Sequence, residues 1–242
     1  MKPLYLSTPV REALGPCLRP GGEALSRRLL ELLAPGPEDL VVDAGCGPGA
    51  TLGMLQEQGV TRAVGLDLDP GLLGEARAHG AELARADLAR MPLLNESVDM
   101  VLAECSWNLT AKEETLAECA RVLRPGGALG LSDIYLRSPG KGPEKNGWPS
   151  HSCFFQATDL ESVQSMVWAA GFEILLLEDH SPLLTRTAAE FVFAHGSLQA
   201  FWQAVMGNSE QARAACTASA TSRPGLFLLI AVKPPVPACP KP

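Results

Sequence analysis

The stretch "VVDAGCGPGATL", Val41 to Leu52, decides how the rest of the chain is interpreted. Two valines run into Asp43, and Gly45, Gly47 and Gly49 then alternate with other residues before a helix-like segment begins. Glycine adopts backbone angles that other residues avoid, and it allows a backbone to approach another group closely. The stretch therefore predicts a buried strand, a tight loop and a helix N-terminus that together hold a ligand.

The composition is that of one ordinary globular domain. The chain has 242 residues, 46% of them hydrophobic, and a formal net charge of −7. The basic residues form no stripe of the kind that nucleic-acid binders show. The first residues contain no apolar signal segment, and no apolar run reaches the roughly 20 residues of a membrane helix. We therefore expect a cytoplasmic protein that binds neither nucleic acid nor a membrane.

The seven cysteines do not form a recognisable framework. Their number is odd, and no two of them have CxxC spacing. In a reducing compartment this pattern favours free thiols over disulfides. It also lacks the paired spacing of a structural zinc site, so no metal site is predicted.

Apolar runs alternate with amphipathic segments along most of the chain. The predicted strands are "DLVVDAG", "RAVGLDLD", "AELARADL", "SVDMVLAE", "ALGLSDIYL", "FEILLLEDH" and "GLFLLIAVK". Helical patterns separate them, and the turn "RPGG" at 124–127 is expected just before the fifth strand. The alternation predicts an α/β protein with a doubly wound sheet. Ligands of such sheets bind at the carboxyl ends of the strands.

The domain organisation follows from the same patterns. Residues 1–37 are predicted to form an N-terminal helical cap, and 38–233 the main domain. A helical insertion is expected at 181–223, before the last strand. The proline-rich tail 234–242 is expected to be disordered, and the polar, Pro/Gly-rich loop 138–150 is a candidate lid.

The glycine loop by itself leaves its ligand open. Gly45-x-Gly47-x-x-Ala50 satisfies the dinucleotide fingerprint, and Asp67 stands at the distance expected of a ribose-binding acid. An NAD-dependent oxidoreductase is therefore one hypothesis. A P-loop is excluded because no Lys-Ser/Thr pair follows the glycines.

The carboxylates at the strand ends favour a different cofactor. Asp43, Asp67, Asp87 and Glu104 end the first four predicted strands and should converge on one edge of the sheet. No basic residue lies in the loop to meet phosphates. Such an edge suits a cationic ligand without phosphates, and S-adenosylmethionine has this chemistry.

Four motifs resemble those of class I S-adenosylmethionine-dependent methyltransferases, in the small-molecule, methyltransferase type 11-like branch. They are "DAGCGPG", "GLDLDP", "ADLARMPLLNESVDMVLA" and "RVLRPGGALGLSD", within about residues 38–180. The resemblance implies a seven-stranded sheet in the order 3-2-1-4-5-7-6, with strand 7 antiparallel and helices on both faces. It also implies that S-adenosylmethionine gives its methyl group to a small-molecule acceptor by in-line displacement.

The resemblance assigns roles to single residues. Gly45, Cys46 and Gly47 would border the methionine end of the cofactor, with Asp43 near its amino group. Asp67 would hold the ribose, Leu68 would pack on the adenine, and Asp87 would bind the adenine amino group with Leu88 beside it. Glu104 completes the predicted cofactor site. For Asp87 a simple turn role is the alternative, while Asp69 is expected to cap a helix and Asp99 to be structural.

The acceptor site is less well determined. The N-terminal region, the end of the fourth strand and the loop after the fifth should border it. The catalytic candidates are Cys105, His151 and Cys153, and the substrate-binding candidates are Cys17, Trp107 and Tyr135. The three cysteines would suit a soft S, Se or As acceptor, although cysteine is often simply buried. A non-catalytic module that binds S-adenosylmethionine is the third hypothesis.

Overall fold

The computed structural model describes residues 3–138 and 147–235. Within these residues seven strands form one sheet in the order β3-β2-β1-β4-β5-β7-β6. β7 is antiparallel to both of its neighbours, and the other pairs are parallel. The strands are β1 Leu40–Ala44, β2 Arg62–Asp67, β3 Glu82–Arg85, β4 Val98–Glu104, β5 Leu123–Leu136, β6 Glu173–Asp179 and β7 Pro224–Val232. The predicted fold class and strand order are confirmed.

Helices cover both faces of the sheet. The described α-helices are α1 Thr8–Leu14, α2 Gly22–Leu33, α3 Ala50–Glu57, α4 Pro70–Ala76, α5 Lys112–Val122, α6 Leu160–Ala169, α7 Ser181–His195, α8 Leu198–Met206 and α9 Ser209–Ser222. Buried residues of α2, α3 and α4 share one apolar cluster with the sheet, and those of α5 and α6 share another. No helix of the described ranges has the length and apolar character that crossing a membrane requires.

Two aspartates have the structural roles that the sequence predicted for them. Asp69 caps α4, since its Oδ1 accepts the backbone N–H groups of Gly71 and Leu72 at 2.8 and 3.0 Å. Asp99 is structural, as expected. Its Oδ2 accepts the Leu40 N–H at 2.6 Å, and its Oδ1 lies 2.7 Å from Arg124 Nη1.

The segment "RPGG" departs from its prediction as a turn before the fifth strand. β5 already begins at Leu123, and the segment bulges out between the residues that pair with Val98 and Met100 of β4. The segment takes this course because its two glycines form backbone hydrogen bonds with Lys233, the residue after β7. Gly126 N–H donates to the Lys233 carbonyl at 2.8 Å, and Lys233 N–H donates to the Gly127 carbonyl at 2.9 Å.

A third apolar cluster lies outside the two sheet layers. It joins Val10 of α1 to Phe201 and Trp202 of α8, to the alanines of α9 and to Trp148. The N-terminal segment and the helices between β6 and β7 therefore pack on each other. Residues 139–146 of the candidate lid and 236–242 of the tail lie outside the described residues.

Candidate active site

The glycine loop between β1 and α3 follows a course that requires glycine. Gly45, Gly47 and Gly49 have φ angles of +84°, +54° and +89°. The Gly45 N–H donates to the Leu66 carbonyl at 2.7 Å, which ties the loop to β2. A Cβ added at Gly45 would lie 2.3 Å from the Ser106 Cβ. Both the backbone angle and the lack of space therefore restrict position 45 to glycine.

Asp67 organises this loop from the end of β2. Its Oδ2 accepts the Gly47 N–H at 2.9 Å, and its Oδ1 accepts the Asp69 N–H at 2.8 Å. Burial raises the pKa of Asp67, and these backbone hydrogen bonds oppose that effect. Each carboxylate oxygen has two lone pairs, so Asp67 can hold the loop and still accept hydroxyl groups of a ligand.

A cavity of about 440 Å³ lies against the loop. Eight of the nine predicted cofactor residues line it, namely Gly45, Cys46, Gly47, Asp67, Leu68, Asp87, Leu88 and Glu104. Leu68 is more than half exposed. Asp87 is also a turn residue, since its Oδ1 accepts the Ala89 N–H at 3.0 Å. The turn role and a place in the cavity wall are thus compatible.

Cys46 contributes little more than its backbone to this surface. Its side chain is buried, and a Cβ added at Gly65 would come within 2.9 Å of its Sγ. Burial raises the pKa of the thiol. The sulfur therefore lies neutral in the core beneath the loop.

A buried arginine lies among the carboxylates, at an edge where the sequence pattern predicts no positive charge. Arg19 Nη2 is 3.1 Å from Glu104 Oε1. Ser26 and Thr51 donate to the two oxygens of Glu104, each at 2.7 Å. The charge pattern predicts that the carboxylates at this edge have no positive partner. The structure corrects that prediction, because the guanidinium of Arg19 from the N-terminal segment is buried among them. The motif "CLRPGG" shows the arginine, but no local pattern indicates that it folds back over β4.

Asp43 is the ninth predicted cofactor residue, and it does not line the cavity. Its side chain is buried under the loop at 3% exposure. Burial and the nearby charge of Glu104 raise the pKa of Asp43 to about 7, while Arg19 lowers it. Its proposed contact with the cofactor amino group remains a prediction.

The acceptor candidates divide into two groups. Cys17, Cys105 and Cys153 line the cavity. Trp107 and Tyr135 do not, because both are buried in the core on the α5/α6 side of the sheet. The structure therefore places neither side chain at the cavity, and their role in substrate binding stays a prediction.

His151 is the remaining catalytic candidate. It is exposed, and it does not belong to the described residues that line the cavity. Its backbone carbonyl accepts the Leu4 N–H at 3.2 Å. This hydrogen bond connects its loop to the N-terminal segment, and the catalytic role of His151 stays a prediction.

The cavity cysteines are neutral thiols. Burial, followed by the charge of Asp133, raises the pKa of Cys105 and of Cys153. Burial also raises the pKa of Cys17. Within residues 3–138 and 147–235, no three His, Cys, Asp or Glu side chains are arranged to hold a metal ion. The three-thiol arrangement suggested for a trivalent arsenic centre is therefore not assembled.

Aromatic side chains that the sequence motifs do not predict as site residues form much of the remaining wall. They are Trp148, Phe154, Phe191, Phe201 and Trp202. They come from the segment after residue 146 and from α7 and α8. The signal was present in stretches such as "FVFAHGSLQAFWQAVM", but only the packing of these elements turns the rings toward one space.

Comparison with known proteins supports a single class. The family described as "Methyltransferase domain" matches residues 42–131, from β1 into β5. Together with the strand order and the glycine loop, this match identifies residues 42–131 as a methyltransferase domain with the class I fold. The activity and the cofactor of the whole chain remain proposals.

Individual relatives are similar over part of their length. The uncharacterised methyltransferase YodH of Bacillus subtilis is 35% identical over 52% of this chain and 56% of its own. The arsenite methyltransferase of Halobacterium salinarum is 29% identical over 58% of this chain and 39% of its own. The chain spans about half the length of the curated relatives it matches.

Solved structures share the fold. Phosphoethanolamine N-methyltransferase 2 of Haemonchus contortus, solved with S-adenosyl-L-methionine, has a TM-score of 0.73 and 19% identity, over 93% of this chain and 56% of its own. The [4+2]-cyclase SpnF has a TM-score of 0.71 and 24% identity, over 88% of this chain and 82% of its own. At these identities the likeness concerns the fold alone.

Proposed function

We propose that this protein transfers the methyl group of S-adenosylmethionine to a small-molecule acceptor. The observation that supports it is one continuous cavity, lined on one side by the glycine loop, Asp67 and Asp87 and on the other by apolar side chains. In-line displacement requires cofactor and acceptor to be held in one such space. Alignment of this kind can contribute about 7–11 kcal/mol to lowering a barrier.

The cofactor roles proposed for single residues follow the cavity wall. Asp67 accepts hydrogen bonds from the ribose hydroxyls, Leu68 packs on the adenine, and Asp87 binds the adenine amino group. Gly47 and its neighbours in the loop approach the methionine portion through the backbone. The carboxylates also complement the positive charge of the sulfonium and ammonium groups.

Two other functions were open at the level of sequence. The similarity to methyltransferases favours methyl transfer over an NAD-dependent oxidation. The other alternative is a non-catalytic module that binds S-adenosylmethionine. A protein of this fold has been solved as a [4+2]-cyclase, so the fold alone does not require methyl transfer. A shared fold can carry different chemistry.

Titration calorimetry with S-adenosylmethionine, S-adenosylhomocysteine and NAD tests the proposal first. We expect heat of binding with both sulfur ligands and none with NAD. Incubation with methyl-labelled cofactor and a panel of thiols, phenols, amines and arsenite then tests transfer. Absence of binding by either sulfur ligand would contradict the proposal. Binding with no transfer to any acceptor would favour the module without methyl transfer.

A further inference from the structure

The aromatic wall of the cavity consists of two stacked pairs of rings and a fifth residue, Trp202, which contacts both pairs. Trp148 and Phe154 are stacked with centroids 4.5 Å apart and planes 13° apart. Phe191 and Phe201 are stacked at 4.0 Å and 9°. Trp202 stands edge-on to Trp148, Phe154 and Phe201 at 6.1, 6.3 and 5.2 Å. The five rings therefore present flat apolar surfaces in a fixed arrangement.

Charge is confined to the other part of the cavity. The charged residues among the described lining are Arg19, Asp67, Asp87 and Glu104. They come from the N-terminal segment and the carboxyl ends of strands, whereas α7, α8 and the segment around Trp148 contribute the rings. An anionic group held among the rings would lose its hydration without a cationic partner there, and it would meet ring faces that carry partial negative charge. The aromatic part therefore disfavours an anion.

Two hydrogen-bond donors in this wall are unsatisfied. The indole Nε1 atoms of Trp148 and Trp202 are buried and have no hydrogen-bond partner among the described residues. Each tryptophan is only 4% exposed. A buried donor without a partner is costly, so a ligand with an accepting atom gains by meeting one of these groups.

We propose that the methyl acceptor is an uncharged molecule with a planar apolar ring and a hydroxyl or thiol group that receives the methyl. This inference rests on the proposed function and specifies its substrate class. The ring lies against the aromatic wall, and the hydroxyl or thiol faces the cofactor. Its oxygen or sulfur lone pair attacks the methyl carbon while the bond from that carbon to the sulfonium breaks. The products are the methyl ether or thioether, S-adenosylhomocysteine and a proton, which passes to water.

Calorimetry tests the inference. It measures how tightly three probe molecules bind to the complete chain after that chain has been saturated with S-adenosylhomocysteine. The probes are 2-naphthol, cyclohexanol and naphthalene-2-sulfonate, which separate ring planarity from charge. We expect 2-naphthol to bind about tenfold more tightly than either of the others, since stacking and desolvation both favour it. Equal or weaker binding of 2-naphthol would overturn the inference.

Three variants test whether 2-naphthol binds at the aromatic wall. Trp202→Leu and the milder Phe191→Leu should each weaken 2-naphthol binding by about fivefold or more, because each removes a flat surface. Phe193→Leu is the matched control, since Phe193 is also in α7 but is 94% exposed. Its affinity for 2-naphthol should equal that of the wild type. Wild-type affinity in both ring variants would overturn the inference.

The binding of S-adenosylhomocysteine shows whether a negative result contradicts only the substrate class or the proposed function as well. Each variant must bind it as the wild type does, which shows that the fold is intact. Wild-type protein that binds it without preferring 2-naphthol overturns the substrate class and leaves the proposed function standing. Wild-type protein that binds no S-adenosylhomocysteine overturns both. With labelled cofactor, 2-naphthol and 2-naphthalenethiol then distinguish an oxygen from a sulfur acceptor.

Discussion

Asp67 both holds the glycine loop in place and is the residue proposed to bind the cofactor ribose. Its two oxygens each accept one backbone N–H, from Gly47 and Asp69. The sequence indicated this residue because an acid at the end of the second strand, about 20 positions after the glycines, is a ribose ligand in such sheets. The hydrogen bond to Gly47 was not predictable, because it depends on how the loop folds over β2.

Replacement of Asp67 by asparagine should weaken S-adenosylmethionine binding. The amide cannot accept at both positions, so one loop N–H or one ribose hydroxyl loses its partner, at about 1–3 kcal/mol. Calorimetry measures the affinity. Asp69→Asn is the matched control, because asparagine caps a helix as well as aspartate does. Unchanged affinity in a folded Asp67→Asn protein would refute the ribose role.

Asp43 should make stability depend on pH. Its pKa is raised from 3.8 to about 7 in the folded protein, so the neutral form is favoured by folding. The stability that it contributes is present below about pH 4 and is lost as the pH rises to about 7. Relative to Asp43→Asn, the wild type should lose free energy of unfolding across that window.

Denaturant unfolding at several pH values between 4 and 8 measures this difference. Glu12→Gln removes one carboxylate at an exposed position of α1 and is the control for the loss of a charge. A difference between Asp43→Asn and the wild type that stays constant over the window would show that Asp43 is ionised equally in both states.

At the scale of elements, the sequence predicts the alternation of strands and helices and the cap of α4. It predicts the hydrogen-bond pairing between strands less well. The Asp69 cap of α4 acts within a few residues, and it is as predicted. The bulge at 124–127 was not foreseen, because its hydrogen bonds go to Lys233, which is distant in the chain. Local patterns cannot report such a partner.

An ion pair between Arg28 and Glu178 joins α2 to the edge strand β6, and His180 forms a hydrogen bond with the same carboxylate. Arg28 Nη2 lies 2.6 Å from Glu178 Oε1, and His180 Nε2 lies 2.8 Å from Glu178 Oε2. The hydrogen bonds from Arg28 and His180 lower the pKa of Glu178 from 4.5 to about 2. The stability that this carboxylate contributes is therefore present above about pH 4.5 and is lost as the pH falls toward 2.

Glu178→Gln should accordingly be less stable than the wild type at pH 7, and the difference should shrink by pH 3. The effect is expected to be small, because the pair is partly exposed to solvent. Urea unfolding at both pH values measures it. Glu190→Gln, in an exposed pair within α7, serves as control. A difference that grows toward pH 3 would contradict the assignment.

For the whole molecule, the N-terminal segment completes the site. Arg19 reaches Glu104 at the end of β4, and both side chains are almost fully buried. Leu4, Tyr5, Val10 and Leu14 of the same segment line the cavity. Residues of the N-terminal segment therefore form part of the cavity wall.

Arg19→Met should destabilise the protein by about 3–5 kcal/mol, because it leaves Glu104 buried without its charged partner. Adding Glu104→Met should restore part of the loss, since an apolar pair can replace a buried ion pair. Denaturant unfolding of the wild type, both single variants and the double variant measures the coupling. Fully additive losses would show that the two charges do not depend on each other.

The sequence by itself determined the sheet, its order through family resemblance, and the residues at the strand ends. Strand alternation, helix caps and glycine spacing act over short distances and are written in neighbouring residues. Only the tertiary structure decided that Arg19 lies among the carboxylates, that Trp107 and Tyr135 belong to the core, and that five separate rings share one wall. These facts depend on contacts between residues far apart in the chain, and such contacts exist only once the elements have packed.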